Sequence, residues 1–75
     1  NREMTLQDRV LRMCAEAGLT GCTVREMCRV FNTLAVTTRD AAKELTRAGL
    51  LVEQQIGRTE RYFLAKLLDE VSPSQ

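Results

Sequence analysis

Residues 23–52 read TVREMCRVFNTLAVTTRDAAKELTRAGLLV, and the punctuation of this stretch decides the fold. It opens on Thr23-Val24-Arg25-Glu26, a hydroxyl residue three places before a carboxylate. In that capping box the hydroxyl takes the amide of the third helical residue, and the carboxylate reaches back to the amide of the cap. Behind it Val24, Met27, Cys28 and Phe31 recur at helical spacing. The pattern breaks at Asn32-Thr33-Leu34-Ala35, which predicts a tight turn, and a second start signal follows at Thr37-Thr38-Arg39-Asp40. Ala41, Ala42, Leu45 and Ala48 carry the apolar face of the next helix until Gly49 ends it. Leu50, Leu51 and Val52 then lead into extended structure.

Upstream, Thr5-Leu6-Gln7-Asp8 is a weaker form of the same box. Leu6, Val10, Met13, Cys14 and Ala17 share one helical face behind it, and Gly18 supplies the stop. Asp8 with Arg12, and Arg12 with Glu16, are four-residue pairs on the wet side. Downstream, the period changes from helix to hairpin. Val52–Ile56 reads as one strand, Gly57-Arg58-Thr59 as the tip and Glu60–Leu64 as the return, with Gly57 free to take positive φ. Tyr62 and Phe63 read as core closure over the first and third helices. Residues 65–71 form a short last helix on this reading, 72–75 a frayed tail, and 1–4 an N-terminus that is disordered or foreign to the domain. The chain begins at Asn1 rather than Met, which fits either a piece trimmed from something longer or a few foreign residues added at its start.

Seventy-five residues make one domain with a thin core, since a chain of this size buries only about 60% of its unfolded surface. No apolar run approaches the ~20 residues needed to cross a bilayer, and no basic segment leads into an apolar one as in a secretory signal. Cys14, Cys22 and Cys28 are an odd set with no histidine, which supplies neither a zinc site nor a disulfide framework. Cys14 and Cys28 read as small core hydrophobes in a reducing compartment. There is no glycine-rich phosphate loop, and Asp40 and Glu44 share a helix face without the partners that acid–base chemistry needs. No enzyme, cofactor or metal is expected.

Helix, short extended link, helix, turn, helix and hairpin resembles a winged helix-turn-helix. The quoted stretch, ending in Leu45-Thr46-Arg47-Ala48-Gly49-Leu50, is similar to the corresponding segment of MarR- and ArsR-type bacterial transcription regulators, and GRTERYFL at 57–64 looks like their wing. The resemblance covers residues 6–64. It implies a mainly α domain with a small β-hairpin, a three-helix core plus wing over 5–64, working in bacterial cytoplasm or, in a eukaryote, the nucleus. It also implies duplex DNA as partner, with the third helix in the major groove and the wing on the backbone. On these residues the implied contacts are Thr23 and Arg25 at the second helix start, Thr37, Thr38, Arg39, Lys43 and Arg47 on the third helix, and Arg58 and Arg61 on the wing. Anion binding at a helix start and hydroxyl or guanidinium contacts to phosphate and base edges supply the chemistry.

The net charge of +1 weighs against nucleic acid, although residues 21–49 carry five basic residues against three acidic ones while the flanking segments are neutral or slightly acidic. Arg39, Lys43 and Arg47 step by four and form one basic ridge, with Asp40 and Glu44 on the next. Two readings of that ridge stay open: a DNA-facing row, or a solvated and internally compensated surface. Asp40 reads as a cap on the Thr37 amide, and the charges of Arg58, Glu60 and Arg61 also suit a solvated hairpin. A winged helix serving protein interaction without DNA is the alternative function. Leu64, Leu67, Leu68 and Val71 are candidate contacts for a homodimer, which would set two recognition helices about 34 Å apart.

Overall fold

The structure, a computed structural model, describes residues 4–71 and the side chains of residues 4–68. Expectations placed on residues 1–3 and 72–75 lie outside the described residues, and so does the side chain of Val71. The chain is a small α+β domain. It runs α1 (Leu6–Ala17), a 3-10 turn (Gly18–Thr20), β1 (Cys22–Thr23), α2 (Val24–Phe31), α3 (Ala35–Arg47), β2 (Leu51–Ile56), β3 (Thr59–Leu64) and α4 (Ala65–Val71). No helix among the described residues is long and apolar enough to cross a membrane.

Both predicted capping boxes form with both of their bonds. Thr5 Oγ1 accepts from the Asp8 amide at 3.1 Å while Asp8 Oδ2 takes the Thr5 amide at 3.3 Å. Thr23 Oγ1 accepts from the Glu26 amide at 3.1 Å, and Glu26 Oε1 takes the Thr23 amide at 3.0 Å. Each box satisfies donors that a helix start otherwise leaves unpaired.

The third start differs from its prediction. α3 begins at Ala35, after Asn32 adopts a left-handed conformation (φ 57°) and Leu34 caps the helix with no side-chain bond. Thr37 and Thr38 therefore lie within the first turn. Asp40 makes no side-chain hydrogen bond or ion pair among the described residues, so it is not the cap expected of it. Thr38 is fully buried, and its hydroxyl bonds that of Thr33 at 2.6 Å, pinning the turn to the helix it precedes.

The sheet is antiparallel in the order β1-β3-β2. Besides the expected hairpin, the extended link pairs with β3, which sets Cys22 opposite Tyr62 and Thr23 opposite Arg61. The hairpin tip is the two residues Gly57 and Arg58, one fewer than predicted, with Gly57 at φ 65°. That tip fixes the register, with Glu53 opposite Tyr62 and Gln55 opposite Glu60.

The core lies between the three longer helices and one face of the sheet. Val10 and Cys14 of α1, Met27 of α2, Ala42 and Leu45 of α3, and Leu51 and Tyr62 of the hairpin are buried together. A fully buried Val or Met contributes roughly 1.5–3 kcal/mol. Cys22 is as buried as Cys14, whereas Cys28 only packs partly against the core. Burial, with Cys22 close by, pushes the Cys14 thiol up to about 12. Neither buried thiol is activated, because burial disfavours the thiolate.

Gly21 joins the two halves. Its φ is +72°, and a Cβ there would stand 2.7 Å from the Phe63 ring and 2.9 Å from the Tyr62 carbonyl oxygen. Only glycine lets β1 approach β3 this closely. That approach sets the start of α2 beside the hairpin.

Candidate functional site

Beside that junction is a cleft of about 450 Å³ lined by Thr23, Val24, Arg25, Arg39, Arg58, Thr59, Glu60 and Arg61. Three segments distant in sequence build it: the start of α2, the first half of α3 and the hairpin around its tip. Four of the eight lining residues are arginines, against one carboxylate.

Each arginine is positioned differently. Arg25 stands in the first turn of α2, exposed and without an ion pair among the described residues. Arg58 occupies the hairpin tip, also exposed and without such a partner. Arg61 is tethered: its Nη1 donates to the Thr20 carbonyl at 3.0 Å and the Gly21 carbonyl at 3.4 Å, with Glu26 at 4.0 Å. Arg39 projects from α3 with its Nε 4.0 Å from Glu60 Oε1.

Two amides at the start of α2, those of Val24 and Arg25, are left over by the Thr23–Glu26 box, since a helix cannot pair its first donors internally. They add partial positive charge on the same side as Arg25. Thr23 itself is buried, with its hydroxyl engaged in the cap, so it shapes the cleft through its backbone.

The ridge expected on α3 divides. Arg39 turns to the cleft. Lys43 instead lies over the sheet, donating to Glu53 Oε1 at 2.8 Å and Oε2 at 3.0 Å, with Glu60 at 3.9 Å. The bond to Glu53 raises the lysine's pKa above its ordinary value. Arg47 is exposed and pairs with Glu44 of its own helix at 3.0 Å, outside the cleft. Thr37 is exposed but does not line the cleft. Thr38 is corrected outright: a fully buried hydroxyl bonded to Thr33 cannot reach a surface ligand.

The cleft thus brings together Arg25, Arg39, Arg58 and Arg61 beside Thr23, and leaves out Thr37, Thr38, Lys43 and Arg47. Sequence reasoning missed Glu60 and Gly21. With a two-residue tip the strand alternation puts Glu60, Tyr62 and Glu53 on one face of the hairpin, and that was the available signal for Glu60. Gly21 carried none, because its constraint is a neighbour forty residues away.

Among the candidate dimer residues, Leu64 packs partly against the core, and Leu67 and Leu68 are half-buried on α4, which rests on β3 and the 3-10 turn. Elsewhere Val30, Leu34 and Val36 are 66%, 72% and 62% exposed, bracketing the turn between α2 and α3.

Compared with known proteins, the chain matches no family model, and no curated protein matches it.

Proposed function

We propose that this chain is a winged helix-turn-helix module that binds duplex DNA, gripping the phosphate backbone in the arginine cleft. The single observation that carries the reading is the convergence of four arginines from three separate segments in a chain whose net charge is only +1. Guanidinium groups match phosphate oxygens in geometry as well as charge, and backbone contacts supply most non-specific affinity. The order of three helices and a hairpin agrees with the winged arrangement, and its sequence likeness to MarR- and ArsR-type regulators makes transcription regulation in bacterial cytoplasm the corresponding role.

On this reading the hairpin and the start of α2 hold the backbone while α3 addresses the major groove. Its outward row is Val36, Asp40 and Arg47, all exposed, rather than an unbroken line of cations. Apolar contact with a thymine methyl and acceptance from a cytosine amine are the base contacts open to Val36 and Asp40. Amide chemical-shift mapping with a short duplex tests the placement. The expected result is perturbation centred on residues 23–25, 39 and 58–61. Shifts confined to α1 and α4 contradict it.

A second reading has its own observation. The exposed Val30, Leu34 and Val36 lie around one turn, and α3 cations are partly neutralised within the chain. Together they favour a winged helix that docks another protein. Duplex-independent perturbation of residues 30–36 by a partner distinguishes it.

A further inference from the structure

We propose that Glu60 sets how tightly the cleft holds a phosphate, by keeping a carboxylate against Arg39 that the phosphate must outcompete. The inference rests on the phosphate-gripping reading above and names the residue that tunes it.

Glu60 is the sole carboxylate among the residues lining the cleft. Its Oε1 accepts from the Tyr62 hydroxyl at 3.4 Å and lies 3.9 Å from Lys43 Nζ and 4.0 Å from Arg39 Nε. Tyr62 is fully buried, so one of the three neighbours of this carboxylate is anchored in the core. Lys43 does not need Glu60, because Glu53 holds it through two shorter bonds. Among the cleft arginines, the negative charge of Glu60 is therefore left to Arg39. Arg25 and Arg58 have no comparable acid among the described residues. Among the four arginines, Arg39 is the one whose charge the hairpin itself answers from within the cleft.

A phosphate entering the cleft meets that carboxylate at short range, and like charges a few ångströms apart near a protein surface repel appreciably. Replacing Glu60 by glutamine keeps the shape and a hydrogen-bond acceptor for Tyr62 while removing the charge. Lys43 stays on Glu53, and Arg39 is released to the ligand. The expected effect is about threefold to tenfold tighter binding at low salt, shrinking as salt screens the interaction.

The test measures binding of a short mixed-sequence duplex by fluorescence anisotropy at about 50 mM salt, where phosphate contacts are strongest. Six proteins are compared: the unaltered chain, Glu60→Gln, Arg39→Gln, the last two changes together, Glu16→Gln and Glu60→Asp. Glu16→Gln makes the same change of net charge on α1, where Glu16 pairs with Arg12 at 3.6 Å, away from the cleft. Glu60→Asp keeps the charge but draws it back from Arg39, and serves also if Glu60→Gln does not fold. The expected order of affinity is Glu60→Gln above Glu60→Asp above the unaltered chain. Glu16→Gln is expected to match the unaltered chain, and the gain from Glu60→Gln to disappear once Arg39 is glutamine. If the unaltered chain binds the duplex and Glu60→Gln binds no better than Glu16→Gln, the role of Glu60 is wrong while the phosphate reading stands. If neither the unaltered chain nor Glu60→Gln binds, that reading falls and takes this inference with it.

Discussion

Lys43 and Arg25 carry the same charge into opposite surroundings. Lys43 lies on the seam between α3 and the hairpin, held by Glu53 with Glu60 close behind. Arg25, like Arg58 at the hairpin tip, faces a cleft with no ion-pair partner among the described residues. The seam is electrostatically self-sufficient and holds the hairpin against α3, whereas the cleft is left positive. A net charge of +1 conceals this division, because it sets the charge of Glu53, which is spent on Lys43 at the seam, against the arginines of the cleft. Weak overall basicity is thus compatible with a strongly basic site.

The largest expected effect breaks both regions at once. Gly21→Ala forces a side chain into Phe63 and Tyr62 at positive φ, and is expected to cost about 3 kcal/mol or more. Denaturant unfolding checks it against Gly18→Ala, where φ is also positive but the space is open, so that only the conformational strain of about 1–3 kcal/mol applies, with no clash added to it. Equal losses at the two positions would mean that the approach of β1 to β3 is not what fixes the start of α2 beside the hairpin.

The next prediction separates the regions. Replacing Arg25 and Arg58 together by alanine is expected to weaken duplex binding roughly tenfold to a hundredfold while leaving the melting temperature nearly unchanged, since both side chains are exposed. Lost stability with unchanged binding would invert the assignment.

Alkaline pH acts on the core and seam. Burial pushes the Cys14 thiol from 9.0 to about 12 and raises Tyr62, and the bond to Glu53 raises Lys43. In each case the folded chain keeps its proton where the unfolded chain loses it. The stability from Cys14 is therefore complete below pH 9 and declines as pH climbs from 9 toward 12, by on the order of 1 kcal/mol at pH 10. Thermal melts from pH 8 to 10 are expected to fall by several degrees, with a flatter slope in Cys14→Ala. A profile identical in the two proteins would remove the thiol from the account.

The smallest expected effect is that of Lys43→Met. Its partners are partly solvated, so a melting temperature lower by only a few degrees is expected, with duplex affinity within about twofold of the unaltered chain. A large loss of affinity would put Lys43 in the interface after all.

Local signals were read well and tertiary ones were not. The boxes at Thr5 and Thr23 depend on residues three apart, and both formed as their spacing predicts. The start of α3 lies three residues before the one the Thr37 signal predicts, because Leu34 offers no capping side chain, while Thr37 and Thr38 imitate a start signal inside the helix. Thr38 looked like a surface hydroxyl because sequence shows a polar atom but not its partner, which is Thr33. The ridge of Arg39, Lys43 and Arg47 was correct in helical spacing. Arg47 pairs with Glu44 of its own helix, whereas Lys43 and Arg39 meet Glu53 and Glu60 on strands whose register hangs on a one-residue difference in the hairpin tip. Arg25, Arg39, Arg58 and Arg61 were each picked out for their charge, but their meeting in one cleft follows from the close approach at Gly21.

The central claim is that the arginine cleft grips phosphates, and a salt titration of duplex binding tests it most directly. Engagement of four arginines predicts that the logarithm of the binding constant falls against the logarithm of salt concentration with a slope of about −3 to −4. A slope near zero, or no binding to any duplex at low salt, contradicts it.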